Sequence, residues 1–415
     1  MDSLTPAPLP PEAAPAPRLD DYAAVVGQAE IHELRELAKL LGGRRVKMVN
    51  STSVGGGVAE ILNRLVPLLN ELGLETRWNV LKGGDDFFAV TKAFHNALHG
   101  EPFDGHSGWF ELFLRVNEEN RRQIQWDEDF VVIHDPQPAA LVQAREGRKN
   151  HWVWRCHIDL SRPNPQVWNF LRPFVERYDA TLFSAPSFTQ GLPMPQYLFY
   201  PAIDPLSDKN RELPPEFVQS VLERFGIDPK RPILTQISRF DRLKDPVGVI
   251  RAYHRVRQYF DCQLVLAGGG AADDPEGEII LREVQEAAQT NPDIHILDLP
   301  PWSHLEINAL QRASTIVIQK SLREGFGLTV TEALLKKKPV VASAVGGIPS
   351  QVIHKVTGML AHSIEGTAYQ IRFLLSNPEV ARQLGENGYE HVKENFLLTH
   401  NIRRYLLLFL TLQQS

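Results

Sequence analysis

Short apolar runs alternate along this chain with longer segments in which apolar residues recur at every third or fourth position. In the first half, "RRVKMVN" (44–50), "FVVIHD" (130–135) and "HWVWRC" (151–156) are typical of buried strands. The segment "VAEILNRLVPLLNELG" (58–73) follows the pattern of an amphipathic helix. Its predicted core positions are Val58, Ile61, Leu62, Leu65, Leu69 and Leu72. Another helix is predicted over 19–43, where a Gly-Gly pair supplies the stop.

The second half repeats this alternation, with strand candidates at intervals of 20 to 35 residues. They are "RPILTQIS" (231–238), "CQLVLAGG" (262–269), "DIHILDL" (293–299), "STIVIQ" (314–319) and "KPVVAS" (338–343). Strands separated by helices predict parallel βαβ units, and hence an α/β domain with a doubly wound sheet in each half. In such sheets ligands bind beyond the carboxyl ends of the strands, so two facing domains would enclose a site between them.

Proline and charge interrupt the pattern at "YPAIDPLSDKNRELPPEFV" (200–218), where we expect the domain boundary. We predict an N-terminal domain over 19–205, a C-terminal domain over 206–390, and a final helix over 391–415 that crosses back to the first domain. The proline- and alanine-rich segment 1–18 is expected to be a disordered tail.

The composition is that of a soluble globular protein. A chain of 415 residues is long enough for two hydrophobic cores, since single cores rarely exceed about 250–300 residues. The net charge of −6 gives no bulk attraction to nucleic acid or to a membrane surface. Cys156 and Cys262 stand alone, which excludes a disulfide framework and a cysteine zinc site. With neither a membrane-length apolar run nor a signal peptide, we predict a cytoplasmic protein, and a homodimer because such dimers are common.

A glycine-rich turn joins the first predicted strand to its helix, in "VNSTSVGGGVAEIL" (49–62). Glycine lets the backbone approach a ligand, and a helix N-terminus favours an anion, so Gly56 and Gly57 are candidate phosphate or sugar contacts. The spacing matches neither the dinucleotide fingerprint nor a phosphate loop ending in Gly-Lys-Ser/Thr. The alternative interpretation is a flexible turn.

Two cations follow a predicted strand in "QISRFDRLKDPVGVI" (236–250). Arg239 and Lys244 would neutralise a diphosphate, and a helix is expected to begin near Asp245 and Pro246. The alternative is a surface loop with Arg–Asp pairing.

Two carboxylates flank a Gly-Phe-Gly turn in "SLREGFGLTVTEAL" (321–334). Glu324 and Glu332 would accept hydrogen bonds from sugar hydroxyls, while the amides of a helix beginning here would face an anion. A capping box from Thr329 to Glu332 is a purely structural alternative for Glu332. A hydrolytic acid/base pair would need both carboxyl groups to face one bond at roughly 5–9.5 Å, which sequence spacing cannot establish.

Polar residues also follow two strands of the first half, in "VIHDPQPAAL" (132–141) and "WRCHIDLSRPNP" (154–165). They are His134, Asp135, Gln137, His157 and Asp159. Each histidine alone has a structural alternative, and the spacing does not match known metal sites.

Taken together, these motifs resemble a known family. The Glu-x7-Glu pair around "GFGLTVTEA", the "SRFDRLKDP" loop and "VASAVGGIP" resemble the retaining glycosyltransferases of the GT-B fold. The segments "NSTSVGGGVAEIL", "FHNALHG", "HDPQPAAL", "WRCHIDLS" and "IDPLSDKN" resemble more narrowly the trehalose glycosyltransferring synthases. The resemblance implies an α/β architecture of two Rossmann-like domains whose parallel sheets face each other across a deep cleft.

By this resemblance, a nucleoside-diphosphate glucose gives its glucosyl group to free glucose, forming trehalose with retained α configuration and releasing the nucleotide. The implied catalytic residues are Arg239, Lys244, Glu324 and His157. The implied donor-binding residues are Gly56, Gly57, Phe326, Gly327, Leu328, Thr329 and Glu332, of which Glu332 would bind the ribose. The acceptor-side candidates are His134, Asp135, Gln137 and Asp159.

The expected partners are therefore small molecules: nucleoside-diphosphate glucose, glucose and trehalose. No cofactor is required, and Mg²⁺ is considered only as a counter-ion of the diphosphate. Segment 297–310 is a candidate base pocket but does not choose between ADP-glucose, UDP-glucose and GDP-glucose, and segment 184–200 departs from the family pattern.

The sequence leaves other functions open. The alternative within transferases is a retaining trehalose phosphorylase, which would use glucose 1-phosphate. A non-catalytic nucleotide-sugar sensor belongs to a different class, and a dehydrogenase lacks its glycine pattern.

Overall fold

The computed structural model describes residues 16–53, 57–269 and 275–414, and these form two parallel six-stranded sheets. The first sheet has the order β2-β1-β3-β4-β5-β6. Its strands are β1 (Arg45–Asn50), β2 (Glu75–Val80), β3 (Phe130–His134), β4 (His151–Cys156), β5 (Ala180–Phe183) and β6 (Gln196–Leu198). The chain reverses direction across this sheet between β1 and β3, which leaves a crevice at their carboxyl ends.

The second sheet repeats this topology with the order β12-β11-β10-β7-β8-β9. Its strands are β7 (Ile233–Ile237), β8 (Gln263–Gly268), β9 (Ile294–Asp298), β10 (Ile316–Gln319), β11 (Val340–Ser343) and β12 (Met359–Ala361). Here the reversal lies between β7 and β10. The predicted α/β class with two doubly wound parallel sheets is confirmed.

Helices cover both faces of the sheets, as parallel strands require. In the first half they are α1 (Ala23–Val26), α2 (Gln28–Leu40), α3 (Gly57–Glu71), α4 (Asp85–Leu98), α5 (Ser107–Gln123) and α6 (Pro165–Val175). In the second half they are α7 (Pro215–Arg224), α8 (Pro246–Arg257), α9 (Pro275–Ala288), α10 (His304–Ala313), α11 (Leu328–Leu335), α12 (Ile348–Gln351), α13 (Ile364–Ser376), α14 (Pro378–Asn395) and α15 (Leu398–Gln413). Within the described ranges, none of these helices is both long and apolar enough to cross a membrane.

The helix predicted over 58–73 buries the face that its pattern indicated. Ile61, Leu62, Leu65 and Leu69 are buried in one hydrophobic cluster, whereas Val58 and Leu72 are half-buried at its edge. The helix predicted over 19–43 is interrupted, because Gly27 adopts a left-handed φ of 84° between α1 and α2.

Four strands had no clear pattern in the sequence. β2 and β12 are edge strands, and β6 is an edge strand of three residues. β5 is fully buried, but an apolar run of four residues is too short to identify as a strand rather than a buried turn. Edge strands face water on one side, so polar residues such as Glu75 and Arg77 of β2 remain exposed and dilute the apolar run.

The late helical segment divides at Phe396 and Leu397 into α14 and α15. The N–H of Ile203 donates to the carbonyl of Phe396, and the N–H of Leu398 donates to the carbonyl of Ile203. α15 then lies against the first sheet, where the Phe409 ring stacks on Phe130 with centroids 4.5 Å apart. Residues 1–15 of the predicted tail lie outside the described residues, and the domain limits stay a prediction.

Candidate active site

The carboxyl ends of the two sheets face each other at very short range. A Cβ at Gly325, in the loop after β10, would lie 2.7 Å from the carbonyl oxygen of His157, in the loop after β4. A Cβ at Gly57, where α3 begins, would lie 2.9 Å from Cδ1 of Leu328, where α11 begins. Both distances leave room only for glycine or for a shift of the neighbour. The loops predicted to carry the chemistry therefore line one cleft.

The loop after β7 contains the two predicted cations, Arg239 and Lys244. Lys244 donates from Nζ to both carboxylate oxygens of Glu324, at 2.7 and 2.8 Å. The guanidinium of Arg239 lies 3.5 Å from Asp241, and its side chain is 52% exposed. Arg–Asp pairing, the alternative for this loop, thus applies to Arg239, whereas Lys244 holds a carboxylate predicted to bind sugar.

The end of this loop is fixed by its neighbours. Asp245 adopts a left-handed φ of 47° and caps α8 by accepting from the N–H of Gly248 at 3.0 Å. Its carboxylate is also ion-paired with Lys320 of the loop after β10. The N–H of Leu322 donates to the carbonyl of Leu243 at 2.7 Å. These contacts join the two loops into one rigid unit, and α8 begins at the predicted position.

Glu324 is a buried carboxylate with several donors around it. Besides Lys244, it accepts from the hydroxyl of Ser321 at 2.9 Å and from the amide of Gln319 at 3.3 Å. A charge out of water requires such partners, because an unpaired buried carboxylate is costly. Its oxygens retain lone pairs for sugar hydroxyls, so the group is suited to positioning and charge stabilisation.

The helix after the Gly-Phe-Gly turn begins one residue before Thr329. Gly327, with φ 84° and ψ 66°, is the residue that caps α11, and Leu328 is its first member. The capping-box alternative for Glu332 is therefore wrong, and the hydroxyl of Thr329 instead donates to Gln319 at 3.1 Å. The amides of Leu328 and Thr329 belong to the first turn, whose N–H groups have no partner within a helix.

Glu332 lies buried between two lysines. The amide of Gln311 approaches its carboxylate at 3.5 Å and accepts from Lys336 at 2.8 Å. Burial lowers the pKa of Lys336 to about 7, against the opposing charge of Glu332. Burial acts in the same direction on Lys209, but the carboxylates of Glu332 and Glu60 outweigh it and raise the pKa of that lysine. Glu332 thus has a fixed position from which to accept hydrogen bonds from a diol.

Phe326 packs into the base of the same loop. Its ring stacks on Tyr200 at 6.2 Å and meets Phe396 edge-on at 5.6 Å, and its carbonyl accepts from Gln351. Gly56 lies outside the described residues, so only Gly57 of the glycine turn is placed at the cleft.

On the opposite side of the cleft, the predicted histidines form a pair. The rings of His134 and His157 are nearly parallel with centroids 5.5 Å apart, and Nδ1 of His134 lies 3.2 Å from Nε2 of His157. Burial, and then the charge of Arg155, lower the pKa of His134 to about 3. Burial, Arg155 and His134 also hold the pKa of His157 well below its ordinary value. Both imidazoles are neutral at physiological pH.

Asp135 links this pair to the backbone. It has a left-handed φ of 67°, and its carboxylate accepts from the N–H of His157 at 2.8 Å. Burial raises the pKa of Asp135 to about 7, although the bond from His157 and the charge of Arg155 act in the opposite direction. Asp135 is therefore partly protonated near neutral pH.

The remaining acceptor candidates differ in position. Asp159 is buried and accepts from the N–H of Ser161 at 2.9 Å. Gln137 contacts α5, where its carbonyl accepts from Asn117 at 3.0 Å, and its side-chain oxygen is buried without a hydrogen-bond partner among the described residues. The structure brings Asp159 to the cleft but does not join Gln137 to the other candidates.

Sequence reasoning missed two histidines at the carboxyl end of α4: His95 lies in its last turn, and His99 immediately follows the helix. The rings of His95 and His99 lie 4.7 Å apart, and His99 is only 8% exposed. Within the described part of the chain, Nδ1 of His99 is buried and has no hydrogen-bond partner. Their spacing in "FHNALHG" (94–100) places both on one face of a helix, which is the signal that sequence reasoning could have used.

The turn after His99 lies where three loops meet. A Cβ at Gly100 would lie 2.9 Å from the carbonyl of Arg162 and 3.5 Å from the guanidinium of Arg323. Burial lowers the pKa of His99 to about 4, while the nearby carboxylates of Asp159 and Glu324 act to raise it. His99 thus stands between the predicted acceptor residues and the predicted catalytic glutamate.

The charged residues and the neutral imidazoles lie on opposite sides of the cleft, so they can contact different substrates or different parts of one substrate. The lysine–glutamate unit on one side is suited to a developing negative charge, and the imidazoles on the other are suited to hydroxyl groups. Among the described residues, no group of three or more His, Cys, Asp or Glu side chains could hold a metal ion.

Comparison with known proteins follows the same division. A family model described as the N-terminal domain of trehalose synthase matches residues 48–190, and one described as glycosyl transferases group 1 matches residues 219–391. A trehalose synthase from Pyrococcus horikoshii is 45% identical over 400 residues, which cover 94% of this chain and 95% of that protein. A trehalose phosphorylase from Pleurotus pulmonarius is 28% identical over 451 residues, covering 94% of this chain and 60% of that protein.

The solved structures show the same architecture. A UDP-forming alpha,alpha-trehalose-phosphate synthase from Burkholderia xenovorans matches with a TM-score of 0.72 and 16% identity, covering 90% of this chain and 100% of that chain. At this identity the likeness shows the fold alone. The GT-B fold is therefore confirmed, and trehalose-related glycosyl transfer is the activity of the family. By its sequence and its fold, the chain belongs to the trehalose synthase family of glycosyltransferases.

Proposed function

We propose that this protein transfers glucose from a nucleoside-diphosphate glucose to free glucose, forming trehalose with retained α configuration and releasing the nucleoside diphosphate. The observation that carries the proposal is the Lys244–Glu324 pair, which lies in a cleft opposite neutral imidazoles. A fixed cation suits a diphosphate leaving group, and neutral donors and acceptors suit sugar hydroxyls.

On the donor side, Lys244 and Arg239 neutralise the charge that develops on the departing diphosphate. The amides at the start of α11, from Leu328 and Thr329, lie at the positive end of that helix and support the same charge. Glu332, held between Lys209 and Lys336, accepts hydrogen bonds from the ribose hydroxyls.

The chemical step exchanges one bond for another on the same face of the sugar. The bond from the anomeric carbon to the phosphate oxygen breaks, the bond to the acceptor oxygen forms, and the acceptor proton passes to the leaving phosphate. Both oxygens of Glu324 are engaged by Lys244, so this carboxylate orients the glucosyl group and does not attack it. His157 hydrogen-bonds the same glucosyl group.

On the acceptor side, His134, Asp135 and Asp159 surround the free glucose, with His99 beside them. Neutral imidazoles favour a neutral sugar over a sugar phosphate, because a phosphate would need a cation to replace its hydration. The reaction requires no cofactor, and Mg²⁺ enters only as a counter-ion of the diphosphate. A cytoplasmic homodimer is part of the proposal.

Product analysis by proton NMR tests the proposal directly. The purified protein is mixed with glucose and, separately, with ADP-, UDP- and GDP-glucose, with the Lys244→Ala variant as the control. A symmetric α,α-1,1 disaccharide formed by the wild type supports the reaction, and the relative rates identify the base. If no disaccharide forms with any of the three donors, the choice of glucose as the acceptor is wrong.

A trehalose phosphorylase is the second candidate, favoured by the match to the Pleurotus protein. It predicts trehalose from glucose 1-phosphate and glucose with no nucleotide dependence. Glu332→Ala separates the two, because it weakens nucleotide binding only if Glu332 holds a ribose. A nucleotide-sugar sensor would bind the donor without turnover on any acceptor.

A further inference from the structure

We propose that Arg155 fixes the proton of His157 on Nδ1, so that this imidazole offers a hydrogen-bond donor to a hydroxyl of the transferred sugar. Arg155 is a positioning residue in this inference, since it acts through His157. The sugar contact rests on the proposed function, whereas the position of the proton does not.

The first step is the contact between the two side chains. Nε of Arg155 donates to Nε2 of His157 at 3.1 Å. A guanidinium is always charged and can only donate, so the imidazole nitrogen that faces it must carry a lone pair. A neutral imidazole has one N–H, and that proton therefore lies on the other nitrogen, Nδ1.

The neighbouring His134 has two contacts of unequal strength. Its Nδ1 lies 3.2 Å from the same Nε2 of His157, and its Nε2 lies 3.5 Å from the sulfur of Met48. A thioether sulfur is only a weak acceptor, so it gives His134 a weak preference for an N–H on Nε2. The charged N–H of Arg155 is the stronger donor, and it decides which nitrogen of His157 carries the lone pair. The opposite tautomer of His157 would point an N–H at the N–H of Arg155.

The neutral state of His157 follows from its surroundings. Burial, the charge of Arg155 and the neighbouring His134 all hold the pKa of His157 below its ordinary value. The carboxylate of Asp135 faces the backbone N–H of His157 and not its ring. Protonation would create a second N–H directed at the arginine, so a charged imidazole is disfavoured by geometry as well as by burial.

Arg155 is itself held rigidly. It is 2% exposed, and its guanidinium carbon lies 5.6 Å from the ring of Phe199 and 5.7 Å from the ring of Tyr405. Aromatic rings on a guanidinium favour the cation and restrict its orientation. Tyr405 belongs to α15, so the last helix of the chain supports the arginine that orients His157.

The other ring nitrogen of His157, Nδ1, is available to a ligand. His157 is half-buried, and among the described residues its Nδ1 makes no hydrogen bond. Gly325, next to Glu324, approaches the carbonyl of His157 closely enough to exclude a Cβ. A sugar held by Glu324 would therefore lie beside this imidazole.

The test is the tautomer itself, measured in the full-length protein by ¹⁵N NMR of the imidazole nitrogens. The chain has 14 histidines, so the His157 signal is assigned by its loss in His157→Gln. We expect a protonated Nδ1 and an unprotonated Nε2 in the wild type. In Arg155→Met, which keeps an apolar stem and removes the donor, we expect the Nε2-protonated form to appear. A wild-type His157 protonated on Nε2, or an unchanged tautomer in Arg155→Met, would overturn the inference.

Kinetics give a second readout with a matched control. We expect Arg155→Met to lower kcat by about tenfold, the worth of one oriented hydrogen bond, with little change in the KM for glucose. The exposed Arg148→Met should leave both constants unchanged. Equal loss of kcat and of thermal stability would assign Arg155 a purely structural role. The tautomer measurement needs no turnover, so a failure of the proposed reaction is distinguishable from a failure of this inference.

Discussion

The two sides of the cleft are built from opposite kinds of polar group. On the side of the second sheet, charged residues occur as ion pairs, such as Lys244 with Glu324 and Lys320 with Asp245. On the side of the first sheet, desolvation and the charge of Arg155 lower the pKa values of His134 and His157, so both imidazoles are neutral. Both sides contain a buried titratable residue, Glu324 on one and His134 on the other, but among the described residues only Glu324 is ion-paired.

The difference is the presence of a counter-charge. Lys244 has a carboxylate at hydrogen-bond distance, since an oxygen of Glu324 lies 2.7 Å from its Nζ. The histidines face Arg155 instead, which disfavours a second positive charge. The comparison teaches that one cleft can keep ion-paired groups and neutral imidazoles apart, on opposite sides.

The strongest test removes the charge of the donor side. We expect Lys244→Ala to lower kcat/KM by about a hundredfold, because it removes a cation from the leaving group and leaves Glu324 buried without its partner. Arg239→Ala, on a more exposed side chain, should lower kcat/KM by at least about tenfold. Steady-state kinetics with the preferred nucleotide sugar measures both.

The control for these variants is Arg242→Ala, since Arg242 lies in the same loop with its side chain 68% exposed. It should retain near-wild-type kinetics. Wild-type rates in Lys244→Ala or Arg239→Ala would remove the diphosphate site from the proposed mechanism.

The next test addresses the neutral side. We expect His99→Ala to raise the KM for glucose by about tenfold, the loss of one hydrogen bond, while the KM for the nucleotide sugar changes little. Nδ1 of His99 is buried and without a partner among the described residues, so a ligand hydroxyl would satisfy it. Initial rates at varied glucose and at varied donor separate the two constants.

The exposed His106→Ala serves as the control for His99→Ala. A rise in the KM for the nucleotide sugar instead of the KM for glucose would assign His99 to the charged side of the cleft. That result would contradict its place on the neutral side.

A pH titration of stability tests Asp135. Its pKa in the folded protein is about 7, against an ordinary value of about 4, so the folded state holds a proton that the unfolded state has released between these pH values. Its contribution to stability is complete below about pH 4 and is lost as the pH rises through 7. Asp135→Asn, which tolerates a left-handed φ, should therefore gain thermal stability relative to the wild type between pH 5 and pH 8.

Melting temperatures of both proteins at pH 5 and pH 8 provide the measurement. His134, with a pKa of about 3, makes stability rise with pH over part of the same range, but it is present in both proteins and cancels in the difference. The exposed Asp104→Asn should show a difference that does not depend on pH. A pH-independent difference for Asp135→Asn would place its pKa at an ordinary value.

The smallest expected effect concerns the contact between the two sides. Gly57→Ala would place a Cβ 2.9 Å from Cδ1 of Leu328, which is the flexible end of a side chain and can move. We expect the KM for the nucleotide sugar to rise about two- to threefold, and Leu328→Ala in the same chain to reverse part of that rise. Gly191→Ala, whose Cβ would meet no atom within 4 Å, is the control. No change, or no coupling between the two positions, would show that this contact does not limit donor binding.

Much of the architecture was predictable because its causes are local. The apolar run of β3 and the spaced apolar face of α3 depend on residues close together in the sequence. Polar residues at the carboxyl ends of β3, β4, β7 and β10 indicated the cleft, since parallel strands align those ends. The edge strands β2 and β12 were not predicted. Polar residues on the exposed side of β2 interrupt its apolar pattern, and β12 has only three residues.

The candidate site was predictable as a set of residues but not as a set of contacts. Lys244 and Glu324 were each indicated by motif, yet nothing in their sequence separation of 80 residues showed that they form an ion pair. Arg155 lies inside the apolar run of β4, and its contact with His157 depends on the direction of two side chains. His99 follows α4, and the carboxylates that act on it, those of Asp159 and Glu324, come from loops distant in the sequence.

The sequence by itself determined the alternation of strands and helices, the two parallel sheets and the types of polar group at the strand ends, because period and composition act over short distances. Only the tertiary structure decided which partner each of those groups meets. Lys244 pairs with Glu324 across 80 residues of sequence, and burial and Arg155 lower the pKa of His157, because such contacts depend on how the loops fold against each other.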